Sequence, residues 1–500
     1  MKIGRVLKTV YAVAVLAAFV LSPAVFSRAW AADDTRDFVR EVKLFETVAN
    51  YVRLNYVKEV DATDLLHAAI RGLISQLDVY TAFLEADDFR LLLNDTEGSF
   101  GGLGIEIAVT PEDQTLTVMN VLEGMPAERV GLQPRDKIVE IEGKSTEGIT
   151  TRDALVKLRG DPGTAVSLAV VRKDYPEKLS FTITREVIHM DTVPYHFMAG
   201  KDVGYIRVTM FARDQSRSTT RDFEKALAEL QAQGAKKLII DLRGNPGGAL
   251  DEAVAMSSLF LKKGSLVVYT KGRSHRWEDR RYFAEQDPKW KKIPLVVLVD
   301  DTSASASEIF TGAMKDQKRA IIMGKKTYGK ASVQTLIPLS SAADQEPGPG
   351  LKITVAYYYT PAGNLIDGKG IEPDVPLEPE KVALISAKLY VDGLFRMYAE
   401  KYHDEHGETA PDDFAADPRA FADFKEWVNG RDFAFYPKEY ADTLPDGGRE
   451  FYLAAMDKEQ KTIMSILTRE VIREVKGDAA AYKFWREYDP WVSAAVDKLS

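Results

Sequence analysis

Three serines at alternate positions, Ser303, Ser305 and Ser307, stand in the stretch VLVDDTSASASEIFTGAMKD (297–316). An apolar, strand-like run ends there at Asp301, and small residues then lead into a helix. Small residues let a substrate carbonyl approach a hydroxyl closely, and a helix N-terminus adds positive potential. Composition does not tell the three serines apart, and serines in such a place also simply cap helices. A serine that attacks a carbonyl needs a base. The chain has no cysteine and six scattered histidines, so neither a thiol nucleophile nor an obvious imidazole base is on offer. The stretch TYGKASVQ (327–334) instead sets Lys330 behind a glycine and ahead of a strand, with Gln334 four residues on. A lysine serves as base where burial lowers its pKa from about 10.4 to near 7, at a cost of about 4 kcal/mol. The pair would be a Ser–Lys dyad, and Gln334 could hydrogen-bond the neutral amine and orient it.

Two glycine-rich turns could complete such a site. DLRGNPGGAL (241–250) ends a strand and opens a helix, where the amides of Gly247 or Gly248 suit an oxyanion hole. Pro246 fills the position where a trypsin-like GNSGG carries its serine, which excludes that reading, and the P-loop lysine and hydroxyl are missing. The second turn, SFGGLGIEI (99–107), holds Gly101, Gly102, Leu103, Gly104 and Ile105 just before a strand. Glycines there let successive N–H groups point inward as a nest for an anion. The continuation GMPAERVGLQPRDKIVEIEGKS (124–145) adds a short helix from Pro126, a glycine at Gly131 and an alternating strand. In this order the elements resemble a PDZ domain. That fold adds a peptide C-terminus as an extra strand, with its carboxylate in the nest. Arg135 stands where a glycine is usual before the Asp of the turn.

DLRGNPGG, SASASE, YGK–x–x–VQ and YYTPAGNLIDGKGIEPDV (358–375) together resemble the carboxy-terminal processing (tail-specific) serine proteases, over about residues 40–380 and in the family's order. The resemblance implies a crotonase/Clp-like α/β catalytic core with an inserted PDZ domain. It implies the middle serine of the string, Ser305, as nucleophile, the lysine 25 residues later, Lys330, as base, and Gln334 beyond it. The oxyanion donors it implies are the amides of Ala306 and of a glycine of the NPGG turn. LDVYTAFL (77–84) is similar to a further family element, with Val79 in place of proline, and Ala331, Asn364 and Asp367 depart from frequent choices without removing a catalytic group. No metal or cofactor is implied. The expected partners are proteins and peptides with free C-termini; homo-oligomers through helical termini and an adaptor are compatible with the family. A different class of reading, a non-catalytic PDZ scaffold or chaperone with a vestigial protease core, is disfavoured by intact Ser305, Lys330 and Gln334.

The elements that must position these groups follow from the remaining pattern. Five hundred residues exceed one hydrophobic core and indicate an α+β multidomain chain. Residues 1–31 carry a basic start, an apolar run of about a dozen residues and a small-x-small end at Ala29–Ala31, the pattern of an export signal. The run is short for a membrane span of about 20 residues, although an uncleaved anchor would tie the protein to the inner membrane. The expected location is periplasmic or secreted. Residues 32–98 show helical periodicity, 99–187 form the PDZ domain with alternating strands, and 188–380 alternate strand and helix as an α/β core. Residues 381–500 read as an aromatic-rich helical extension, and His403 and His406 lack the i, i+4 spacing of a zinc helix. The net charge of −9, or −13 once Lys2, Arg5, Lys8 and Arg28 are set aside with residues 1–31, argues against nucleic acid.

Overall fold

The computed structural model describes residues 36–500 apart from 98, 111–112, 123, 174, 190, 214–217, 274–279, 340–347, 379–382, 410–413, 415–416, 432, 434, 436–448 and 486–488. The export signal expected at 1–31 lies outside the described residues. No helix among the described residues is long and apolar enough to cross a membrane. The chain forms two bodies that divide between Phe83 and Leu84, inside the segment expected to be one helical region.

In the first body, residues 36–55 are helical, and a second helix spans Ala62–Ile74. Asp61 caps the latter, its carboxylate accepting from Thr63 N at 2.8 Å and Asp64 N at 3.0 Å. Phe38, Phe45, Val48 and Tyr51 of the first helix are exposed.

The second body opens with the helix Ala86–Glu97 and then the small β-domain. Ser99–Gly102 pairs antiparallel with Glu186–His189, so the domain closes on itself at its two chain ends. Between them the strands Ile105–Val109, Leu116–Val121, Lys137–Ile141, Ala165–Val171 and Leu179–Thr184 form one antiparallel sheet in that order. Along Ala165–Val171 the buried residues are Val166, Leu168 and Val170, the period of two that turns one face inward. The helix Thr151–Leu158, capped by Thr150, buries Ala154 and Leu158 against that face.

The following segment forms a three-layered α/β unit. His196–Met198 pairs antiparallel with Val203–Arg207, and the parallel strands Val203–Arg207, Lys237–Asp241, Leu295–Val299, Ile321–Gly324 and Val375–Pro376 follow side by side. Leu295–Val299 (LVVLV) is buried at every position, as a central parallel strand covered on both faces must be. Helices Thr219–Ala232, Leu250–Ser258 and Ala306–Asp316 bury Phe223, Leu227, Phe310 and Met314 on one face. The other face is covered by the last helix, Pro490–Leu499, through Trp491, Val492 and Ala495. A second sheet centres on Gly350–Tyr359, flanked by Ser332–Pro338 and Leu266–Lys271.

The extension from 383 packs its aromatic residues, Phe395, Tyr398, Phe414, Phe424 and Tyr452 among them, into a core of its own. It also reaches both other units. Arg135 keeps a positive φ of 73° at the turn where glycine is usual. Its guanidinium sits among three carboxylates of the extension, on Glu474, 3.4 Å from Asp404 and 3.7 Å from Glu400. At the far end Asp489 binds Arg243 of the core, Nη2 to Oδ2 at 2.7 Å.

Candidate active site

The site assembles at the C-terminal ends of the parallel strands Lys237–Asp241 and Leu295–Val299. Asp241 is fully buried and accepts from Arg243 Nη2 at 2.6 Å, Arg207 Nη1 at 3.0 Å and Tyr205 Oη at 2.6 Å. Burial opposes its charge, but the two guanidinium groups and these hydrogen bonds hold its carboxyl well below the usual carboxylate range. Tyr205 Oη also meets Tyr482 Oη at 2.7 Å, whose phenol is pushed up to about 12, chiefly by burial. This ionic knot fixes the strand end from which the DLRGNPGG turn departs.

Hydrogen bonds tell the three serines apart. Ser303 is fully buried, and its hydroxyl donates to Leu242 O at 2.8 Å. Ser307 is equally buried and donates to Asn245 O at 3.0 Å. Both tie the serine loop to the glycine turn. Ser305 alone of the three is only partly buried, and its Oγ lies 2.9 Å from the Tyr358 phenol. It precedes the helix Ala306–Asp316 with φ 56° and ψ −114°, a conformation that costs a non-glycine residue about 1–3 kcal/mol. The strained turn brings the hydroxyl to the helix N-terminus.

Glu308, one turn into that helix, is a group that sequence reasoning missed. Its buried carboxylate accepts four hydrogen bonds: Oε2 from Ser305 N at 2.9 Å and Lys330 N at 2.8 Å, Oε1 from Thr327 Oγ1 at 2.6 Å and Gly329 N at 2.7 Å. One oxygen therefore grips the backbones of Ser305 and Lys330 together. Burial pushes the Glu308 pKa up, and these hydrogen bonds oppose the rise. The available signal was the S-x-x-E spacing of a capping box, read at most as a helix start.

Lys330 is half-buried. Burial first, then the like charge of Lys352, lowers its pKa from the ordinary lysine value, while Glu308 acts the other way. Gln334 lies on Ser332–Pro338, its Nε2 donating to Ser332 Oγ at 2.7 Å and Thr354 Oγ1 at 3.2 Å. With the amide hydrogens engaged, Oε1 is the atom left to accept from an amine.

The expected oxyanion donors divide. A Cβ on Gly247 would stand 2.7 Å from Ser305 Cβ and 2.8 Å from Ala306 N, so the glycine turn does abut the serine and only glycine fits there. The Gly247 amide nevertheless donates to Asn245 Oδ1 at 2.9 Å, which removes it from the donor set in this conformation. The amides of Gly248 and Ala306 have no acceptor among the described residues, as a site waiting for an oxyanion requires.

The nest residues divide as well. A cleft of about 720 Å³ is lined by Gly102, Leu103, Gly104 and Ile105, by Leu155, Leu158 and Arg159 across from them, and by Thr209 and Met210 of the core. Gly101 is absent from its lining; Gly101 O accepts from Gly160 N at 3.1 Å, and a Cβ at 101 would run into Gly160 O. Gly101 thus serves close backbone packing rather than the groove. Arg159 lies over the Phe100 ring at 3.8 Å. The groove wall continues into the active site, because Phe211, next to Met210, pairs with the glycine turn through Phe211 N to Gly247 O at 2.9 Å and Ala249 N to Phe211 O at 2.7 Å.

The model for peptidase family S41 matches residues 202–377, and that for the PDZ domain matches 117–172. The carboxy-terminal-processing protease of Bartonella bacilliformis is 36% identical over 349 residues, covering 68% of this chain and 77% of that protein. The carboxy-terminal processing protease CtpB of Bacillus subtilis is 34% identical over 352 residues, 69% of each chain. The solved photosystem II D1 C-terminal processing protease is 30% identical, covering 67% of this chain and 87% of that one, with a TM-score of 0.40.

Proposed function

This chain belongs to peptidase family S41, as a carboxy-terminal processing serine protease with a PDZ domain, and from that premise we propose that it is an exported endopeptidase working through a Ser305–Lys330 dyad. One observation carries the assignment: Ser303 and Ser307 donate inward to Leu242 and Asn245, while Ser305 stands at the helix N-terminus, clamped with Lys330 by the Glu308 carboxylate. Lys330, in the fraction whose amine is neutral, takes the Ser305 proton as Oγ attacks the peptide carbonyl, and then gives it to the leaving amine. The amides of Gly248 and Ala306 receive the oxyanion. Water then attacks the ester with Lys330 again as base. Gln334 Oε1 orients the amine. No step calls for a metal or cofactor.

Five parallel strands with helices on both faces support a crotonase/Clp-like core. The helix Ala86–Glu97 sets Phe89 against Gly350 of the core before the chain enters the PDZ segment, which supports reading that domain as an insertion. The groove at Leu103–Ile105 takes the C-terminal tail of the substrate, and residues 1–31 direct export to the periplasm or beyond. The exposed apolar residues of helix 36–55 support self-association.

The test of this function uses purified full-length chain and a partly unfolded protein substrate with either a free or an amidated C-terminus. Cleavage is expected for the free tail and to be much slower for the amidated one; equal rates would remove the groove from the account, and no cleavage of either would remove the peptidase. Leu155→Asp, which places a carboxylate against the arriving one, is expected to raise KM for the free tail about tenfold, the scale of one pocket contact, with cleavage of the amidated substrate unchanged.

The lowered pKa of Lys330 sets the pH dependence. Its amine must be neutral to act, so kcat/KM rises with pH as Lys330 loses its proton, and does so at lower pH than an ordinary lysine would dictate. Lys352→Gln removes the neighbouring like charge, lets the Lys330 pKa climb, and is expected to move the rising limb to higher pH. A pH-independent kcat/KM, or a limb that stays put in the Lys352 variant, contradicts the lysine base.

A further inference from the structure

The contact between Ser305 and Tyr358 is left unused by a two-residue dyad, and it is the hydroxyl's own bond. Tyr358 is buried, and its Oη lies 2.9 Å from Ser305 Oγ. Its strand is paired on both sides, Thr270 opposite Tyr358 and Ser332 opposite Tyr357, so the ring hangs from the middle of a sheet. The Tyr358 amide donates to Ala331 O at 2.8 Å, directly after Lys330. One residue therefore touches the nucleophilic oxygen with its side chain and the base-bearing segment with its backbone.

We propose that the Tyr358 phenol donates its hydrogen to Ser305 Oγ and is a third catalytic residue, supporting the negative charge that builds on that oxygen during attack. This rests on the Ser305–Lys330 reading above. The direction of the bond follows from counting hydrogens and lone pairs. Ser305 Oγ has one hydrogen and two lone pairs. The hydrogen must face Lys330 Nζ to be removed, and one lone pair must face the substrate carbonyl. The remaining lone pair is a place for a donor, and a phenol supplies one. Were the serine to donate to the phenol instead, its hydrogen would be withheld from the base.

In the acylation step the Oγ–H bond breaks, an N–H bond forms on Lys330, Oγ bonds to the carbonyl carbon, and the carbonyl pair moves to the oxyanion. Tyr358 keeps its proton throughout. Its bond to Oγ shortens and strengthens as Oγ gains charge and weakens again once Oγ is an ester oxygen. An interaction that is strongest between the two end states raises kcat and leaves KM alone.

The experiment compares full-length wild type, Tyr358→Phe, Tyr358→4-aminophenylalanine and Ser305→Ala. It reads the second-order rate of labelling by a fluorophosphonate probe, kcat and KM on a free-tailed substrate, and Tm. In Tyr358→Phe, labelling and kcat are expected to fall together by about tenfold to a hundredfold, the worth of a hydrogen bond to a charged group, with KM within about twofold. The 4-aminophenylalanine variant restores an N–H donor at the same volume and is expected to recover most of that loss. Wild-type labelling in Tyr358→Phe, or an aminophenylalanine variant no faster than the Phe variant, overturns the proposal. Should Tyr358→Phe lose its fold by Tm, the aminophenylalanine variant decides alone: near-wild-type labelling supports donation, and labelling lost at an intact Tm refutes it. Labelling that persists in Ser305→Ala overturns the nucleophile assignment itself, a result distinct from any failure at Tyr358.

Discussion

Ser305→Ala is expected to cut peptide hydrolysis by about four to six orders of magnitude, as loss of a nucleophile does in other serine peptidases, while Tm stays within a degree or two of wild type. The hydroxyl lost is not one that ties the loop down: Ser305 Oγ meets the Tyr358 phenol, whereas the neighbouring serines tie the loop to the glycine turn. Ser303→Ala and Ser307→Ala should therefore show the opposite pattern, a loss of about 1 kcal/mol of stability each from a missing buried hydrogen bond, with the nucleophile still in place. Lys330→Met is expected to match Ser305→Ala in activity, because two members acting as one unit lose nearly everything when either is removed. It is not expected to destabilise the protein, because a half-buried amine is replaced by an apolar chain of similar length. Single-turnover cleavage and thermal unfolding on the four variants would decide the matter. Full turnover in Ser305→Ala, or a dead but well-folded Ser307→Ala, would put the nucleophile elsewhere in the string.

Glu308→Gln is expected to be nearly as damaging as Glu308→Ala, with kcat down by about two to three orders of magnitude. The carboxylate takes two donors on each oxygen: the Ser305 and Lys330 amides on one, Thr327 Oγ1 and the Gly329 amide on the other. A glutamine must turn its NH₂ group toward one of these pairs, so two buried donors are left facing hydrogens however the amide is flipped. Each unmet donor costs about 1 kcal/mol or more, and here the cost falls on the backbones that carry nucleophile and base. A displacement of about 1 Å at reacting groups is enough for a hundredfold loss. The measurement is kcat and KM for Glu308→Gln beside its Tm. A variant with wild-type kcat, however unstable, would mean that the four-donor clamp serves folding alone.

The sequence made the chemistry more legible than its support. The spacing from the serine string to Lys330 and Gln334, the glycine turn before a helix, and the small β-domain with its nest were readable because each depends on residue type within a short window. The choice among Ser303, Ser305 and Ser307 was carried by the family resemblance, since its physical basis lies in bonds to Leu242 and Asn245, about sixty positions away along the chain. Gly247 was read as an oxyanion donor on its type. What decides against it is the carbonyl of a side chain two residues back, Asn245, which nothing in the GNPGG pattern reveals. Gly101 was counted into the groove with its neighbours, yet one residue along a strand reverses the face presented, and its carbonyl pairs with Gly160. Tyr358 is visible only as the middle of YYYTP (357–361), where three consecutive tyrosines offer no period by which to choose one. In the aromatic-rich extension Phe395, Tyr398 and Phe424 pack on one another as core.

Arg135 and Arg243 have a shared practical meaning for protein engineers. The two recognisable modules end by residue 377, so a trimmed enzyme, or a PDZ domain grafted from this chain onto another hydrolase, would be cut there. Such a cut strips Arg135 of Glu400, Asp404 and Glu474, and Arg243 of Asp489, in one stroke. Arg135 would lose all three of these carboxylates on the PDZ domain, and Arg243, beneath the glycine turn, would keep Asp241 alone. The last hundred or so residues are thus cargo that must travel with both modules.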